Sequence, residues 1–173
     1  MDISVIDAKK VTTENGIKIG LDSAPKKIVE FMNLRCPYSK QWFEESKELL
    51  VEAVAQGKVQ RIIKLFDKEK ESLQRGNVMH HYVSWSEPEK ALGEIQKIYD
   101  TQEDWGQLSL DEVAVYAEEE LGLKEQLNQV LVDQIIAEAN SANIKFVPTC
   151  VVEKAIFDEN IQPEELRNIL DLM

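Results

Sequence analysis

The sequence predicts an α/β fold in which one core is interrupted by a helical insertion. Three observations carry that prediction. Strand-like segments lie near both ends of the chain. A strand–helix–strand unit with short links fills the first part. From about residue 70 to 143 the pattern is almost wholly helical. Strand, helix, strand with tight connections is the signature of a parallel crossover, and the later helices have no strands between them to pair with it.

The elements follow in order. ISVI at 3–6 and GIKIG at 16–20 are short β-like pieces, with Glu14-Asn15-Gly16 as a turn signal between them. KKIVEFMNL, residues 26–34, is a mostly apolar run and reads as a buried strand. From Pro37 to Gln56, Phe43, Leu50 and Val54 recur at helical spacing, with Pro37 in the first turn and Gly57 past the end. This predicts one amphipathic helix. A second strand is expected from Val59 to Phe66. Pro88, Gly106 and Gly122 punctuate the helical region, and Ser109-Leu110-Asp111-Glu112 has the form of a capping box. FVPTCVV at 146–152 and AIF at 155–157 return to strand character, and a last helix starts near Pro163.

Size and composition narrow the function classes. The 173 residues, 43% hydrophobic and 30% charged, suit a well-packed globular chain. A net charge of −12 repels phosphate backbones and anionic lipid, so nucleic acid and membrane surfaces are not expected partners. The start, MDISVIDAKKVTTENG, lacks the features of a secretory signal, and a cytoplasmic location is expected. Two cysteines, Cys36 and Cys150, are too few for a disulfide scaffold or a four-cysteine zinc site, and no metal is expected.

Cys36 lies between the end of a strand and the first turn of a helix. The first N–H groups of a helix lack partners there, and the helix dipole adds partial positive charge. A thiolate gains from both, so this position favours a reactive sulfur. Arg35 and Lys40 flank it, and Ser39, three residues on, is placed to donate a hydrogen bond to the sulfur. Period-two alternation turns Cys150 toward a core, which argues against a bond to Cys36. His80 and His81, adjacent on a helix, are expected to diverge by about 100°. Glu118-Glu119-Glu120 reads as a solvated face, and Trp105 as core.

The segment VEFMNLRCPYS at 29–39 resembles the active site of DsbA-type disulfide oxidoreductases of the thioredoxin superfamily. Glu30-Phe31 precede Cys36 on the strand and Pro37 follows it directly. FVPTC at 146–150 is similar to the family's second hallmark, a valine–cis-proline loop. The resemblance implies a thioredoxin fold with an inserted helical subdomain: a βαβ half at 1–69, the insertion at 70–143 and a ββα half at 144–173. It also implies roles. Cys36 would be the nucleophile, Val147 and Pro148 would present backbone to an extended client beside Pro37 and Tyr38, and Glu30 would be a buried proton acceptor.

Two positions depart from that pattern. Ser39 stands where the family has its second cysteine, so the usual disulfide between positions 36 and 39 cannot form, and an outside thiol, glutathione or the client itself, must resolve a mixed disulfide at Cys36. Tyr38 stands where the most oxidising members carry histidine, and it brings no positive charge. The reading is therefore monothiol exchange with protein, peptide or low-molecular-weight thiols and disulfides, by an oxidoreductase or isomerase-like enzyme that needs no bound cofactor. The alternative is a redox-inactive binding or adaptor protein on the same fold.

Overall fold

The computed structural model describes residues 2–172. Its centre is a sheet of β1 (Ile17–Ile19), β2 (Lys26–Met32), β3 (Val59–Leu65), β4 (Thr149–Val152) and β5 (Ala155–Phe157). The strand order is β1-β3-β2-β4-β5. β2 and β3 run parallel, from Lys26 opposite Val59 to Met32 opposite Leu65, and the other pairings are antiparallel. β2 is thus the middle strand, and residues 28–32 are all buried. Burial on both faces explains why it reads as a continuous apolar run rather than an alternating one.

The crossover from β2 to β3 is helical, but it is two helices, not one. α1 (Pro37–Glu45) and α2 (Lys47–Ala55) meet at Ser46. Ser46 donates its hydroxyl to the Trp42 carbonyl at 2.6 Å, and its N–H goes to the same oxygen. A serine that bonds back to the preceding turn bends a helix. The expected strand at 3–6 is also corrected. Ile3–Val5 and Ala8–Lys10 are short 3-10 turns, each opened by an aspartate, Asp2 or Asp7, that accepts a backbone N–H. Local capping overrides a four-residue apolar pattern that has no neighbouring strand to join. Asn15, at φ 54°, makes the turn into β1.

The segment between β3 and β4 holds α3 (Gln74–His80), α4 (Pro88–Asp100), α5 (Gln102–Trp105), α6 (Leu110–Glu119) and α7 (Gln129–Ser141). The Ser109–Glu112 capping box is formed. α8 (Pro163–Ile169) closes the chain. The sheet separates two hydrophobic clusters. One gathers Ile28, Met32, Trp42, Leu50, Ile63 and much of the insertion, Trp105 included. The other packs Phe31, Ile62 and Phe66 against Ile135 and Ala139 of α7. Beside that second cluster, Lys64 of β3 is fully buried and donates to both Glu138 oxygens, at 2.6 and 2.7 Å, and to the Thr12 carbonyl. Burial pushes the Lys64 ammonium down despite Glu138. Among the described residues no helix is long and apolar enough to cross a membrane.

Candidate active site

β2 ends at Met32, and the next four residues turn the chain into α1. Asn33 organises that turn. Its carbonyl accepts the Cys36 N–H at 3.1 Å, and its Oδ1 accepts the Arg35 N–H at 2.9 Å. Its Nδ2 donates to the Phe66 carbonyl and to Asn77 of α3. The insertion holds the same loop from the other side. His80 Nε2 accepts the Leu34 N–H at 3.1 Å, Gln102 donates to the Leu34 carbonyl at 2.9 Å, and Tyr99 donates to the Asn33 carbonyl at 3.5 Å. Helices far along the chain therefore set the position of Cys36.

Cys36 caps α1 and is only 5% exposed. Its thiol donates to the Val147 carbonyl at 3.4 Å. The Val147–Pro148 peptide is cis. Cys36, Pro37, Tyr38, Phe66 and Val147 line a cleft of about 660 Å³. Tyr38, Val147 and Pro148 line a second, of about 300 Å³. The structure thus brings together Cys36, Pro37, Tyr38, Val147 and Pro148 from the two ends of the chain.

Ser39 and Glu30 lie beneath this mouth, both fully buried. The Ser39 hydroxyl does not bond the sulfur. It accepts the Asn33 N–H at 3.3 Å and bonds Tyr99. Burial, then Cys36 and Glu30, push the Tyr99 hydroxyl well up. Glu30 is not a free carboxylate. Arg61 on the neighbouring β3 grips both its oxygens at 2.8 Å, and the Trp42 indole donates to it at 2.8 Å. Burial works against the Arg61 charge, yet Glu30 raises it overall. Forked Arg–carboxylate pairing of this kind adds geometric specificity as well as strength. Arg61 was invisible in the sequence, because a lone arginine in a strand reads as a solvent-facing residue.

Arg35 turns away from the sulfur, and its Nε donates to the Gly106 carbonyl at 2.9 Å. Cys150 pairs with Glu30 across β2 and β4 and sits in the core, where burial and then Glu30 push its thiol well up. Both cysteines are free thiols.

The two histidines share one carboxylate. His80 Nδ1 and His81 Nε2 both reach Asp67, at 2.7 and 3.1 Å. Burial alone would push Asp67 up, but the two histidines bring it down to about 2. Burial pushes His80 down against the pull of Asp67. A neutral ring that donates through Nδ1 and accepts at Nε2 satisfies both of its bonds. Among the described residues no group of histidine, cysteine and carboxylate side chains is arranged to hold a metal ion.

The chain matches the family described as thioredoxin over residues 12–172. A solved structure of a conserved protein of unknown function from Enterococcus faecalis V583 shares 61% identity, covers 99% of this chain and 98% of its own, and superposes with a TM-score of 0.98. Oxidised BdbD from Bacillus subtilis shares 14% identity over 96% of this chain and 94% of its own, with a TM-score of 0.65. A protein-disulfide isomerase from Novosphingobium aromaticivorans shares 15% over 90% and 98%, with a TM-score of 0.70. Likeness at these lower identities establishes a common fold. No curated protein matches the chain.

Proposed function

Because the chain belongs to the thioredoxin family, we propose that it carries out thiol–disulfide exchange through the single sulfur of Cys36. The observation that carries this reading is the meeting of the Cys36 thiol and the Val147 carbonyl, 3.4 Å apart, at the mouth of a cleft. A client sulfur that reaches Cys36 lies beside a strand-end backbone that can pair with an extended chain.

The exchange is a two-step, electron-balanced transfer. The Cys36 thiolate attacks one sulfur of a disulfide, that S–S bond breaks, and the other sulfur leaves as a thiolate. An external thiolate such as glutathione then attacks the sulfur bound to Cys36, the bond to Cys36 breaks, Cys36 leaves as a thiolate, and the new disulfide joins the external thiol to that sulfur. Ser39 cannot take that second role. Glu30, locked by Arg61 and Trp42, serves the frame beneath the sulfur in this reading rather than moving a proton.

Turnover of a glutathionylated peptide, with reduced glutathione as the resolving thiol, tests the proposal. Wild type and Cys150→Ser should release free peptide well above the uncatalysed rate, and Cys36→Ser should not. Mass spectrometry of the stalled reaction should find one adduct, at Cys36. Adduct without turnover would favour binding alone, and neither adduct nor turnover would remove the exchange reading.

A further inference from the structure

Two clefts meet at Tyr38, Phe146 and Val147, beside Cys36, and they differ in charge. The larger is lined by Lys68, Lys70 and Lys145. Its acids are Asp67 and Glu69, and both oxygens of Asp67 are already taken by His80 and His81. Among the described residues none of the three lysines forms an ion pair. Lys68 is fixed in place. Its Nζ donates to the Lys145 carbonyl at 2.7 Å and stands 4.5 Å from the centre of the Phe66 ring. Burial and then Lys70 push its ammonium down.

The smaller cleft carries Asp158 and Glu159 and no lysine or arginine. Burial and then Asp158 push the Glu159 carboxyl up. Glu159 also borders a further groove with Glu45, Glu48 and Glu52. On a chain of net charge −12 an acidic groove is ordinary, and a lysine-lined one runs against the trend. Tyr38, Phe146 and Val147 line both clefts. Tyr38 and Phe146 are 60% and 55% exposed, so apolar surface lies where the two meet.

A chain crossing that point in extended form advances about 3.3 Å per residue. Residues two or three places either side of its cysteine then lie over one cleft or the other. We infer that the client of Cys36 is an extended cysteine peptide of asymmetric charge, with an acidic side chain over the lysine cleft and a basic one over Asp158 and Glu159. This rests on the exchange reading above.

Three peptides of equal length, each with one central cysteine, test it. The first is acidic before the cysteine and basic after it, the second is the reverse, and the third carries serines at those places. Each is supplied as its mixed disulfide with thionitrobenzoate. The Cys36 thiolate attacks the peptide sulfur, the peptide–thionitrobenzoate bond breaks, a Cys36–peptide disulfide forms, and the coloured thionitrobenzoate anion leaves. At low ionic strength one charged order should react on the order of tenfold faster than the other, with the serine peptide between them. The spread should collapse in about 1 M salt, where charges beyond ~3 Å are screened. A Lys70→Glu, Lys145→Glu double variant, changed at two exposed positions, should lose or invert the preference. Equal rates for all three peptides would overturn the charge assignment and leave exchange intact. If no peptide reacts, the exchange reading itself falls.

Discussion

His80 shows how much one side chain can decide. It is fully buried, gives its Nδ1 proton to Asp67 and accepts the Leu34 N–H two residues before Cys36. Burial lowers its pKa in the folded state. The unfolded chain, with an ordinary value of about 6.5, then binds the proton more readily than the folded one. Stability from this group is complete above about pH 6.5 and is lost as the pH falls through the folded value. Asp67, held at about 2, adds its own loss only in stronger acid. Urea unfolding followed from pH 7 to pH 4 should show stability declining in wild type and a flatter profile in His80→Gln, whatever that variant's absolute stability. Equal slopes would place the titrating group elsewhere. Sequence made Cys36, Pro37 and the Val147–Pro148 pair legible because each motif is contiguous. It did not reveal Arg61 or Asp67, whose partners lie 31 and 13 residues away. Only folding brings such pairs into register.

At the scale of elements, signals packed into a few consecutive residues were readable and long-range ones were not. The capping box on α6 occupies four neighbouring residues, and it is formed. The break at Ser46 was hidden, since the apolar spacing of Phe43, Leu50 and Val54 continues straight across it. α3 offers a sharper case at Gly76. In an ordinary helix, alanine for glycine stabilises by about 1 kcal/mol. Here a Cβ would press on Asn33 Oδ1 and come within 2.6 Å of the Arg35 backbone nitrogen. At Gly76 the backbone of α3 lies directly against the cysteine loop. Gly76→Ala is therefore expected to cost stability, on the order of 1–3 kcal/mol, and to slow Cys36 exchange through displacement of Asn33. Urea unfolding and the thionitrobenzoate rate check the two effects, and a more stable, equally reactive variant would show that the contact yields.

Across the whole molecule, the expected division into two core halves and an insertion conceals how they depend on one another. The core supplies the strand exit and the helix start, and the insertion supplies His80, Tyr99 and Gln102 that fasten the loop between them. Sequence could indicate that helices fill residues 70–143, because their periodicity is local. It could not indicate which of their side chains face the sulfur. The fastening has a dynamic consequence. The amide hydrogens of Leu34, Arg35 and Cys36 are each bonded, to His80, to the Asn33 side chain and to the Asn33 carbonyl. If a loop tied from several elements opens only together with them, these hydrogens should exchange with deuterium as slowly as those of central β2. Markedly faster exchange would mean that the loop opens by itself. With slow exchange, the loop behaves as a rigid template: it loses little entropy when a client docks, and the flexible partner must do the conforming.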